Sequence, residues 1–249
     1  MFRPDEKKAI FFDMNDTLVD QELTFDTGFR ELIREFTGRW EDDGDGNLHE
    51  SSILAKYKAE WAKRSKVKRK TLTREAQKLA SLRLALSGAP FAVHERMLKQ
   101  FFRDLREKRA RHAMIFPDVR TVLSALSSHY KLAVITNGSQ DSAEAILSRY
   151  GLLSLIPRAR IFASKTIGYS KPNPLLFRHA LKAMHLSAAQ SVMVGNSWRH
   201  DIVGATRTGM DAVWICPEHP KKISQRKVGK EKVLIVRSLK QLRGLFLED

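Results

Sequence analysis

From residue 113 onward, short apolar runs alternate with amphipathic stretches at helical spacing, and no other feature constrains the fold of this chain as strongly. The runs are "KLAVIT" (131–136), "ARIFAS" (159–164), "SVMVGN" (191–196), "DAVWIC" (211–216) and "KVLIV" (232–236). Between them lie "SQDSAEAILSRYGL", "NPLLFRHALKAMHL" and "RHDIVGATRTGM", with apolar residues recurring every three or four positions. Short strands separated by single helices predict parallel βαβ units in one sheet. Pro117 and Pro174 suit first helical turns, and Gly151 and Gly209 suit helix stops. The run "KAIFF" at 8–12 is a further buried strand of the same set.

Residues 21 to 112 break the pattern. Apolar repeats in "TFDTGFRELIREF", "LASLRLALSG" and "HERMLKQFFRDLREKRA" read as helix, and no strand signal interrupts them. The expectation is therefore an α/β fold: a Rossmann-like, doubly wound parallel sheet formed by residues 1–20 and 113–249, with an all-helical domain of residues 21–112 inserted after the first strand. With 249 residues, 43% of them apolar, the chain can bury a core of that size. The single cysteine, Cys216, excludes an intrachain disulfide, and the start "MFRPDEKKAIFF" has no signal-peptide pattern. No apolar run approaches 18 residues, so the expected setting is soluble and cytoplasmic, without a membrane partner.

The net charge of +16 raises the question of nucleic acid. Its distribution bears on the answer: residues 53–111 hold 18 Lys and Arg against 5 acids, whereas residues 21–52 hold 3 against 9. Aromatic residues hardly interleave with the lysine-rich "AKRSKVKRKTLTR", and no recognition motif accompanies it. A solvated basic helix face that steers a small anionic substrate is the preferred reading over nucleic-acid binding. The acidic "EDDGDGNLHE" does not fit a calcium loop, because registering Glu41 or Asp43 first puts Ser52 or Leu54 where a bidentate Glu is required. It reads as a surface loop.

In open parallel sheets, ligands bind beyond the carboxyl ends of the strands. The residues there form a consistent set: Asp13-Met14-Asn15-Asp16-Thr17 after the first strand, Thr136-Asn137-Gly138 after the next, Lys171 after "ARIFAS", and Gly195-Asn196-Ser197 with Asp201 after "SVMV". Singly, each has a bland explanation as a cap or a turn. Four successive strand ends carrying them together point to one site. A carboxylate there can act as a nucleophile, and hydroxyl, amide and ammonium donors can stabilise a transferred anionic group.

On these motifs, the chain resembles the haloacid dehalogenase superfamily along nearly its whole length. The resemblance implies Asp13 as covalent nucleophile, Thr136 with the Asn137 and Gly138 amides and Lys171 as binders of the transferring group, and a helical cap for the insertion. It also implies Mg²⁺ held by Asp13, the Asn15 backbone carbonyl, Asn196 and Asp201. In the family's metal-dependent phosphatases, the Asn15 position is an Asp that protonates the leaving group and then activates water, which an amide cannot do. Asn196 stands at a usual Asp ligand, so metal affinity is expected to be weakened.

The favoured expectation is a phosphatase-branch hydrolase acting on a small phosphorylated metabolite with attenuated turnover. A metal-independent 2-haloacid dehalogenase-like hydrolase is the alternative, since expelled halide needs no proton. A non-catalytic binding protein on the same fold is the third reading, and a phosphonate-cleaving relative using a cap lysine is a further variant.

Overall fold

The computed structural model describes residues 2–37, 49–66, 73–89 and 91–247. Most of the acidic stretch (41–48) and the centre of the lysine-rich stretch (67–72) lie outside the described residues. Along the chain come β1 (Ala9–Phe12), β2 (Val19–Asp20), α1 (Gln21–Thr37), α2 (Glu50–Lys66), α3 (Arg74–Ala85) and α4 (Glu95–Arg111). They are followed by β3 (Met114–Ile115), α5 (Val119–Ser127), β4 (Lys131–Thr136), α6 (Gln140–Arg149), β5 (Ile161–Ala163), α7 (Ser164–Ile167) and α8 (Pro174–Ala183). The last part holds β6 (Ser191–Gly195), a π-helical turn (Trp198–Ile202) running into α9 (Val203–Thr206), β7 (Asp211–Ile215), β8 (Ile223–Val228), β9 (Glu231–Val236) and α10 (Leu242–Phe246). Two compact units result, one of residues 1–20 with 115–249 and one of residues 21–114.

In the first unit, seven strands form one sheet in the order β5-β4-β1-β6-β7-β9-β8, parallel except for β8. The chain winds outward from β1 in both directions, so the strand order reverses between β1 and its neighbours β4 and β6. That is the switch point at which doubly wound sheets leave a crevice. Phe12, the last residue of β1, stands in register with Val134 and Val194, so the loop after β1 opens between the ends of two neighbours.

Both faces of the sheet are covered, which is why its strands read as continuous apolar runs. Phe11, Ala133, Ile135 and Met193 share one cluster with Leu176, Phe177, Ala180 and Leu181 of α8. The alternate residues Ile10, Phe12, Leu132 and Val134 point to the other face and are equally buried. Lys7 ties the sheet's lower edge: its Nζ donates to the Ala189 carbonyl and to Asp211 Oδ2, each at 2.7 Å, with both side chains almost fully enclosed.

Several local expectations are met for stated reasons. Pro174 is the first residue of α8, behind Asn173, whose Oδ1 accepts the Leu175 N–H at 3.0 Å. Gly151 (φ 64°) and Gly209 (φ 88°) take the left-handed conformation past α6 and α9. Others need correction. Pro117 lies in a turn two residues ahead of α5, not in its first helical turn. The 159–164 run yields only the three-residue β5, because Arg158–Arg160 make a single 3₁₀ turn and Ser164 already begins α7. The strand β8 has no apolar signal, since "ISQRKV" is a largely exposed, charged edge strand held by its antiparallel pairing to β9.

The second unit is helical, as its apolar spacing predicts. Phe29 and Ile33 of α1, Ile53 and Tyr57 of α2, Leu82 of α3, and Leu98, Phe101 and Leu105 of α4 close one core. Aromatic rings dominate it: Phe29 lies 5.1 Å from Tyr57 and 5.1 Å from Phe101 between centroids. Thr73 caps α3 by accepting the Ala76 N–H at 3.2 Å. Among the described residues, no helix is long and apolar enough to cross a membrane.

Candidate active site

The loop after β1 is tied to the neighbouring strand, for the Asp13 N–H donates to the Val194 carbonyl at 2.9 Å. It then doubles back, with Leu18 and Val19 both donating to the Met14 carbonyl and Asp16 in the left-handed region at φ 55°. The Asp13 carboxyl is thereby held at the switch point, and it is buried.

Lys171 reaches into the same place. Its Nζ donates to Asp13 Oδ1 at 2.5 Å and to Asp201 Oδ1 at 2.7 Å, and all three side chains are enclosed. Burial pushes the Asp13 carboxyl up to about 6, the Asp201 charge adds to the rise, and Lys171 with the Met14 N–H opposes it. Desolvation exceeds what one lysine shared between two carboxylates returns.

Lys171 is positioned through its backbone. Its N–H donates to Asn137 Oδ1 at 2.7 Å, and its carbonyl accepts from Asn137 Nδ2 at 3.1 Å. The side chain of Asn137 thus holds the Lys171 backbone through one of its two N–H donors and its oxygen. Gly138 differs from expectation as well: its N–H donates to Thr136 Oγ1 at 3.1 Å instead of standing open to a ligand. That bond occupies an acceptor site on the buried Thr136 hydroxyl and leaves its proton to be donated.

Asp201 arrives on the π-helical turn after β6, a device often found at functional sites. The Ser197 N–H donates to Asp201 Oδ2 at 2.9 Å, which fixes the second carboxylate oxygen. Gly195 makes the space: a Cβ there would stand 2.6 Å from the Asp201 Cβ and closer still to its carboxyl. Sequence reasoning read Gly195 and Ser197 only as members of a strand-end triplet and missed that they seat Asp201. The signal is a glycine ending a strand a few residues before an acid.

The two amides lie beside this triad in the chain. Asn15 is exposed and bridges by its backbone to Val19. Asn196 is half-buried, and its carbonyl accepts the Trp214 indole N–H at 2.9 Å. Among the described residues, no group of three or more His, Cys, Asp and Glu is arranged to hold a metal. Asp13 and Asp201 supply two carboxylates, and Asn15 and Asn196 stand two and five positions from them in the chain. Such an all-oxygen set suits Mg²⁺, which takes one or two carboxylates and fills its shell with phosphate and water.

Comparison with known proteins places the chain in a family. The model of the haloacid dehalogenase-like hydrolase family matches residues 7–209. The chain is 29% identical over 221 residues to the glyceraldehyde 3-phosphate phosphatase of Methanothermobacter thermautotrophicus, covering 85% of this chain and 86% of that one. It is 31% identical over 147 residues to the phosphoserine phosphatase of Thermus thermophilus, a match over 57% of this chain and 56% of the relative. Among solved structures it resembles the putative hydrolase YfnB of Bacillus subtilis bound to magnesium, with a TM-score of 0.62 at 19% identity, covering 96% of this chain and 98% of that one. With a parallel sheet, an aspartate at its switch point and a family match spanning most of its length, the chain belongs to the haloacid dehalogenase-like hydrolases.

Proposed function

We propose that the protein hydrolyses a phosphate monoester of a small metabolite through an aspartyl-phosphate on Asp13, and that it does so with slow turnover. The observation that carries this reading is the Lys171 ammonium set between the Asp13 and Asp201 carboxylates at the switch point. The relatives named for phosphatase activity support it.

An ionised Asp13 oxygen attacks phosphorus, the bond to the ester oxygen breaks, and that oxygen departs with the electron pair. Lys171 faces the reacting centre as a point charge, and the Thr136 hydroxyl supplies a donor to the phosphoryl oxygens. Water then attacks the aspartyl phosphate, releasing inorganic phosphate and restoring Asp13. Both steps move a proton, first to the leaving oxygen and then from the water. Asn15 can do neither, and a positioned acid–base group contributes typically ~10² to 10⁴ in rate, or about 3 to 5 kcal/mol of barrier. Asp13, Asp201, the Asn196 side chain and the Asn15 carbonyl are the groups that would hold Mg²⁺. When bound, that ion supplies charge neutralisation between the phosphate and the carboxylates.

Asn15 also favours a second reading, a 2-haloacid dehalogenase-like reaction in which Asp13 attacks carbon and halide leaves unprotonated. One experiment tests both: rapid-mixing release of 4-nitrophenol from 4-nitrophenyl phosphate with Mg²⁺, beside halide release from 2-chloropropionate without metal. A burst close to one per protein followed by a slow steady state is expected for the phosphate ester. Halide release with no burst on the ester would replace the phosphatase reading with the dehalogenase one.

A further inference from the structure

The helical unit contains a cavity of about 490 Å³ between α1, α3 and α4, within the size range of small-molecule sites. Six cations line it: Arg74 and Lys78 on α3, and Lys99, Arg103, Arg106 and Arg109 on α4. Glu75 is the one acid among the described lining residues. The α4 cations recur at three- and four-residue spacing, which places them along one face, opposite Arg74 and Lys78 at the i, i+4 positions of α3. Like charges so placed repel one another. The unit therefore bears an electrostatic cost that an anion would relieve.

The neighbours leave most of this charge uncompensated. Of Arg74, Lys78, Lys99, Arg103 and Arg106, only Lys99 has a carboxylate within ion-pair distance among the described residues, Glu95 at 2.7 Å. Arg103 donates to the neutral Gln100 Oε1, and Arg74 lies over the Trp61 ring at 5.8 Å. Arg109 donates to Gln21 Oε1 at 2.6 Å and lies 5.6 Å from the Phe25 centroid, which fixes its guanidinium at the α1 side. Burial first, and then Arg74, Arg109 and Arg106, hold the Lys78 ammonium below its usual value. Beneath the cations, Phe25, Leu79, Phe102 and Leu105 give the cavity an apolar and aromatic lining.

We infer that this cavity of the helical unit is a binding site for a small amphipathic polyanion, a planar or apolar body carrying two or more phosphate groups, of which a nucleoside polyphosphate is the type. An inorganic anion would meet the cations and leave the apolar lining unused. A neutral aromatic molecule would leave the repulsion in place. The site consists of residues of the helical unit alone.

The test is calorimetric titration of the full chain, in EDTA at 0.15 M salt, with the β,γ-imido analogue of adenosine triphosphate, with tripolyphosphate and with adenosine. One-to-one binding of the analogue is expected, at least tenfold tighter than either fragment. The double variant Arg103→Glu/Arg106→Glu changes two exposed residues and should weaken binding at least tenfold while circular dichroism stays unchanged. A control of equal charge change on the other unit, Lys227→Glu/Lys230→Glu, should leave it within twofold. Equal weakening by both pairs, or none by the first, would overturn the site. So would displacement of the analogue by single-stranded oligonucleotides with affinity rising with length, since that marks the face as a nucleic-acid surface.

Discussion

Replacing Asp13 with Asn removes one titration from the buried triad, and the structure sets the sign and size of the consequence. The carboxyl moves from 3.8 to about 6 on folding, which corresponds to about 3 kcal/mol between its two protonation states. Because the folded value is the higher one, the native state retains the proton more readily than the unfolded chain. The associated stability is fully present below pH 4 and is lost as pH rises through about 6. Relative to Asp13→Asn, the wild type should therefore lose about 3 kcal/mol between pH 4 and pH 8, equivalent to roughly 6 to 12 °C in Tm for a chain of this size. Asp13 is 8% exposed, so solvent screening takes little from this figure.

The assay is urea and thermal unfolding of both proteins in EDTA at half-unit steps of pH. The quantity of interest is the difference between them, in which titrations common to both cancel. Adding Mg²⁺ at pH 7.5 should stabilise the wild type more than the variant, because the ion is bound by the ionised form of Asp13. A difference that stays flat across the pH range, or one that grows in favour of the wild type at high pH, would refute the account of Asp13 as a carboxylate destabilised by burial.

Three further outcomes are expected. Asn15→Asp should raise steady-state phosphate release by about 10² or more, and Asn196→Asp should lower the Mg²⁺ concentration for half-maximal rate by adding a charged ligand; phosphate-release kinetics across Mg²⁺ concentrations measures both. Gly195→Ala should abolish activity and lower Tm, because its Cβ would overlap the Asp201 carboxyl; activity close to wild type would show that Asp201 can move without consequence. Lys7→Met should cost about 3 to 5 kcal/mol by leaving Asp211 buried and uncompensated, with turnover per folded molecule unchanged, as read from urea unfolding and active-site burst size.

The parallel sheet, its order of strands and helices, and the helical character of the described part of residues 21–112 were legible in the sequence, because burial on one face of a helix or both faces of a sheet leaves a periodic apolar signature. The strand ends were legible too, since Asp13, Thr136, Lys171 and Asp201 each follow an apolar run. The sequence could not show that Lys171 donates to both carboxylates, that Asn137 is occupied in holding the Lys171 backbone, or that Gly138 turns its N–H to Thr136. The first two depend on distances between residues 30 to 158 positions apart in the chain, which only the closing of the sheet sets, and the third on the geometry of the turn after β4. β8 and the cationic cavity escaped for the same reason. A polar edge strand is defined by its partner, and charges spread along two helices become one site only when the helices are packed side by side.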